Sequence, residues 1–144
     1  MTNETVYLNP GRFVIEGTFD VDTTGAVLNL TMPNGGTKTV RGQHMSVVKS
    51  GTGQYDVTVK LASALDGKPV FQPVELLDGT AKLIAATVAT ALGARVASVT
   101  TDSNGNIVIR VLTTGSTGAA ADTTAAVTVG FMAVVCTVRL DPVF

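Results

Sequence analysis

The sequence predicts an all-β fold: one antiparallel β-sandwich or barrel-like domain over residues 12–144, preceded by an extended N-terminal arm at 1–11. Three observations carry this. Apolar and polar residues alternate with period two over most of the chain, as they do when one face of a strand turns inward. Turn signals recur at roughly 8–12-residue spacing, which suits about eight short strands in a sandwich or barrel. No Pro- or Ser-rich linker or charge run divides the 144 residues, and there is no internal repeat.

The elements follow in order. In "RFVIEGTFDV" Phe13, Ile15, Phe19 and Val21 share one face, and Arg12, Glu16, Thr18 and Asp20 share the other. "AVLNLTM" alternates likewise, with Ala26, Leu28, Leu30 and Met32 on one side. The intervening "DTTG" therefore predicts a hairpin over 12–32. "PNGG" (33–36) is a second turn, in which glycine permits positive φ. The next pair, "HMSVVK" and "QYDVTVK", is joined by Ser50-Gly51-Thr52-Gly53. A phosphate-binding loop would need Lys-Ser or Lys-Thr after the second glycine and then a helix. Gln54 and a strand follow instead, so this loop turns the chain.

Residues 61–73 read as an irregular connection with Asp66-Gly67 and two prolines. In 74–94, Leu83, Ile84, Val88, Ala91 and Leu92 suit a short helix ended by Gly93, whereas the Thr and Val content suits strand and loop. Both readings of 80–92 stay open on local rules. "RVASVTTDSNGNIVIRVLTT" (95–114) is a hairpin that turns at 102–106. "GSTGAAADTTAA" (115–126) is a small-residue loop, mobile unless something covers it. The closing strand, 127–140, is apolar on both faces around Met132 to Val138. A strand of that kind is covered on both sides, by its own domain or by a partner.

Composition narrows the function. Charged residues make up 15% of the chain, against about 25% in an ordinary soluble domain. A monomer needs charge for solubility and to blunt its sheet edges; a subunit packed against neighbours needs less. With net charge −1 and ten scattered Lys and Arg, nothing attracts a polyanion, and no nucleic-acid partner is expected. Apolar runs such as "FMAVVC" are far shorter than a membrane span, so no membrane partner is expected either. The opening "MTNETVYLNP" lacks a basic segment followed by an apolar one, which predicts synthesis and folding in a cytoplasm. The single cysteine excludes an intrachain disulfide.

No residue set reads as catalytic or as holding a cofactor. His44 is the one histidine and reads as an exposed or interface side chain in a strand. Cys136, inside the most apolar strand, reads as packing. Asp20, Asp22, Thr24 and Gly25 match half of a calcium loop, and Asp102, Asn104 and Asn106 its first three ligands. Thr31 and Thr113 stand where the bidentate Glu should be. A weak cation site at Asp20 and Asp22 is the most that pattern supports.

The order of several phrases resembles small all-β virion proteins of tailed bacteriophages: "VRGQHMSVVKSGTGQYDVTV", "VELLDGTAKLIAA", "GARVASVTTD…NIVIRVLTTG…AAAD" and "VGFMAVVCTVRL", across roughly the last hundred residues. The resemblance lies in strand-and-turn wording rather than a functional motif. It implies a capsid decoration or cement protein on the virion exterior, bound to the major capsid protein and forming a homo-oligomer, often a trimer. It also implies strand rather than helix for 76–86. On this reading the candidate interface comprises Met132, Val134, Cys136 and Val138 of the last strand, with Tyr7 and Leu8 of the arm. A tail or host-recognition module and a small ligand-binding β-module are the alternatives.

Overall fold

The computed structural model describes residues 12–60, 74–84, 93–104 and 106–137. They form nine strands: β1 (Arg12–Val21), β2 (Leu30–Thr31), β3 (Thr37–Lys38), β4 (Met45–Gly51), β5 (Gln54–Val59), β6 (Val74–Ile84), β7 (Gly93–Thr101), β8 (Ile107–Thr114) and β9 (Val127–Thr137). Two antiparallel sheets, ordered β1-β9-β6 and β4-β5-β8-β7, enclose the core, and β2-β3 is a separate short hairpin. The all-β, sandwich-like prediction is met. The arm (1–11), the 61–73 connection, residues 85–92 and the end of the chain from 138 lie outside the described residues.

Period-two alternation decides which side chains meet. Ile15, Phe19 and Val21 of β1 and Val129, Phe131, Ala133 and Val135 of β9 point inward. They oppose Tyr55 and Val57 of β5 and Ile107, Ile109 and Val111 of β8. Phe19 bridges the sheets, its ring centroid 5.2 Å from that of Tyr55 and 6.2 Å from that of Phe131. Tilted aromatic contacts of this kind add to the gain from burial.

The sandwich is drawn together along both sides, which gives it its barrel-like character. On one side, residues 39–41 span the edges of β1 and β4. Thr18 and Arg41 exchange backbone hydrogen bonds, the Val47 amide donates to Thr39 Oγ1 at 3.0 Å, and Val40 is fully buried between them. On the other side β6 and β7 cross. Each slips register by one residue, between Leu76 and Asp78 and between Val96 and Ser98, as a β-bulge does at a bend. A Cβ placed on Gly79 would lie 2.9 Å from Val96 Cβ, so only glycine allows this approach.

The loops at one end converge on a single carboxylate. Asp122 Oδ1 accepts the Gly53 amide at 2.8 Å and pairs with Lys49 at 2.9 Å. Tyr55 donates its hydroxyl to the Gly25 carbonyl at 2.6 Å, and Thr123, itself buried, donates to the Asp22 carbonyl. Ala121 and Thr113 are joined by two further bonds. The 115–126 loop is therefore covered and anchored. Gly53 keeps φ at +63°, and a Cβ there would sit 2.5 Å from the Ala121 amide nitrogen. Burial, with the Asp122 charge adding, pushes the Tyr55 phenol up to about 12.

Several elements differ from expectation. Residues 12–32 are not one hairpin: β1 pairs along its whole length with β9, and 22–29 touches it only through the Val21–Val27 bridge and the Leu28–Asp20 hydrogen bond. The apolar side chain packed on the core there is Val27, while Ala26 and Leu28 are exposed. His44 lies in the turn before β4 with φ +58°, not within a strand, and it is exposed. Residues 80–84 are strand; the rest of the ambiguous 80–92 stretch falls outside the described residues. The hairpins at 33–36, 45–59 and 95–114 form as predicted.

Two tests address these contacts. Gly79→Val should destabilise by roughly 1–3 kcal/mol in urea unfolding. Asp122 is held below the usual carboxylate range by Lys49 first and by the Gly53 amide second. A group whose pKa is lower in the folded than in the unfolded state contributes stability above about pH 4, and that stability is lost as pH falls through the folded value. Asp122→Ala should therefore cost about 1 kcal/mol at neutral pH and should have a progressively smaller effect as the pH is lowered toward 3.

Candidate functional site

Each sheet has one face in the core and one outside, and the two outer faces differ in chemistry. The β4-β5-β8-β7 sheet presents Ser46, Gln54, Asp56, Thr58, Ser98, Thr100 and Arg110, with Arg110 paired to Asp56 at 2.9 Å. Val48, 60% exposed, is the main apolar exception. This is an ordinary solvent face for an antiparallel sheet.

The outer face of β1-β9-β6 is different. Register aligns its side chains in cross-strand rows: Arg12–Cys136–Glu75, Val14–Val134–Asp78, Glu16–Met132–Thr80, Thr18–Gly130–Lys82 and Asp20–Thr128–Ile84. The central strand presents Met132 and Val134, and six of the ten flanking positions are charged. Val14 is 55% and Ile84 46% exposed, and Met132 and Val134 are half-buried. Leu77, the residue bulged out of β6, is a further exposed apolar side chain.

A groove of about 700 Å³ crosses this face where Gly130 leaves the central strand without a side chain. Glu16, Thr18 and Arg41 wall it on one side, and Thr80, Lys82 and Ile84 on the other. At the Ile84 end a hollow of about 320 Å³ extends past Thr128 toward Leu28. Arg41 is fixed by a bidentate pair with Asp20, at 2.9 and 2.7 Å, and Thr128 donates its hydroxyl to the same carboxylate at 2.7 Å. These bonds, the one from Arg41 foremost, hold Asp20 below its ordinary pKa against the opposing effect of burial.

The candidate interface residues separate clearly. Met132 and Val134 stand together on this face. Cys136 shares it but is only 8% exposed, so it offers a partner little surface. Val138, Tyr7 and Leu8 lie outside the described residues. The half-calcium loop at Asp20 and Asp22 is a turn in which both carboxylates are hydrogen-bonded within the protein. Arg41 and Thr128 occupy the Asp20 carboxylate, while Asp22 Oδ1 accepts the Thr24 amide, the Thr24 hydroxyl and the Ala26 amide. Asp102 likewise accepts the amides of Asn104 and Asn106. Among the described residues no group of three or more His, Cys, Asp or Glu side chains could hold a metal ion.

Sequence reasoning missed the margin of this face: Glu16, Arg41, Asp78 and Lys82. Glu16, Asp78 and Lys82 are ordinary strand charges until the β1-β9-β6 order aligns them, and Arg41 reaches them through its bridge to Thr18. Gly130 left a signal, as the glycine inside the mostly apolar "VTVGFMAVV". No protein-family model, curated protein or solved structure gives a significant match to this chain.

The assignment of faces has a direct check. Val134→Asp should still fold and melt cooperatively, because its side chain stands on the outer face. Val135→Asp, one residue on and fully buried, should fail to fold or lose several kcal/mol; circular dichroism during heating separates the two outcomes.

Proposed function

We propose that this chain is a structural virion protein of a tailed bacteriophage, a decoration or cement protein bound to the outside of the capsid as a homo-oligomer. The observation that carries the reading is the outer face of β1-β9-β6. An apolar centre of Val14, Met132 and Val134 with a charged rim is suited to burial against another protein. The low charged fraction and the resemblance of the strand-and-turn phrases agree with it.

Such a role needs contact area and no chemistry. A subunit that bridges capsomers stabilises the shell by RT ln(1 + [L]/Kd), so the effect grows with concentration. Several weak sites on one oligomer add through effective concentration. A rigid sandwich whose loops are tied down, as the Asp122 contacts tie these, binds without a large ordering cost.

The test is to mix the purified chain with capsids assembled without it. The chain should co-sediment to a saturating, fixed ratio and raise the temperature at which the capsids open, by an amount that increases with its concentration. Absence of co-sedimentation at any concentration would contradict the proposal.

A further inference from the structure

Gly130 has no structural reason to be glycine. A glycine in a central strand weakens it by roughly 0.5–1 kcal/mol relative to alanine. Two other strand glycines in the same sheet have steric causes: a Cβ on Gly17 would lie 3.0 Å from the Arg41 carbonyl oxygen, and one on Gly79 would meet Val96. A Cβ on Gly130 would make only ordinary contacts, 3.4 Å to Ile84 Cδ1 and 3.8 Å to Lys82 and Thr18, and its φ is not positive. What the glycine does is open the groove in the outer face, next to the half-buried Met132 that lines it.

The charges around this side chain and hollow are sorted. On the Met132 side lie Glu16 and Asp78; on the Gly130 side lie Lys82 and Arg41, the latter bonded to Thr18. Asp20, also on the Gly130 side, is already held by Arg41, and Arg12 at the far end shares its row with Glu75. A two-fold rotation about an axis across the strands, between the Met132 and Gly130 rows, exchanges those rows. Met132 of each copy then enters the Gly130 hollow of the other, Glu16 meets the neighbourhood of Arg41, and Lys82 faces Thr80 one row from Asp78. We infer that this face binds a second copy of the chain through an isologous contact with Met132 seated in the Gly130 groove. An isologous contact must be complementary to itself, and this face carries both a side chain and a hollow to receive it, with Glu16 brought toward Arg41 and Asp78 one row from Lys82.

The inference rests on the homo-oligomeric part of the proposed function and specifies its contact. Sedimentation equilibrium of the full chain, from roughly 1 to 500 µM, tests it with four variants. Asp78→Lys and Lys82→Glu should each weaken self-association at least tenfold. The double swap, Asp78→Lys with Lys82→Glu, should restore it to within about threefold. Gly130→Val should weaken it by filling the hollow, while thermal melting reports that the fold is kept. Rescue by the double swap requires that the two positions lie in neighbouring rows across copies, close enough for their charges to interact, which a merely structural role would not produce. A wild-type trimer unaffected by either reversal would overturn the two-fold contact and leave an oligomeric virion protein standing. A monomer at every concentration would overturn it too, and capsid co-sedimentation then decides the functional reading separately.

Discussion

The structure depends on one strand that is apolar on both faces. β9 lies between β1 and β6, hydrogen-bonded to both, and the period of two sends Val129, Phe131, Ala133 and Val135 into the core. The same period puts Gly130, Met132 and Val134 on the opposite face. A register slip of one residue would exchange the two sets, so burial of the inner set fixes the outer one. The core thereby determines what surface the protein presents.

Around this strand the sandwich is closed by short, specific contacts rather than by bulk. Gly79 admits Val96 where the bulged β6 and β7 cross, and Val40 with the Thr18–Arg41 bonds seals the opposite side. At one end Asp122 ties its loop to Gly53 and Lys49, and Tyr55 reaches the Gly25 carbonyl of a third loop. A surface preformed by such contacts spends little binding energy on ordering itself.

Much of the fold was legible in the sequence because alternation and turn chemistry are local signals. The hairpins at 33–36, 45–59 and 95–114, and the buried faces of β1, β5 and β8, follow from them. The partner of β1 did not, because pairing with β9 across about a hundred residues is not encoded in the "DTTG" turn. Asp122 was visible only as a lone charge, the one charged residue between Arg110 and Arg139; its bonds depend on where Gly53 and Lys49 fall in space. The same holds for the candidate face. Met132 and Val134 were readable as a second apolar side of one strand, whereas Glu16, Arg41, Asp78 and Lys82 join it only through sheet order.

The functional account is that a sandwich with one polar and one adhesive face serves as a building block of a particle. It is tested most directly by the number of copies of the chain in purified virions, quantified by mass spectrometry against the major capsid protein. The account predicts hundreds of copies in fixed ratio to the capsid protein. A handful of copies would place the chain at the tail or a unique vertex, and absence from the particle would contradict the account outright.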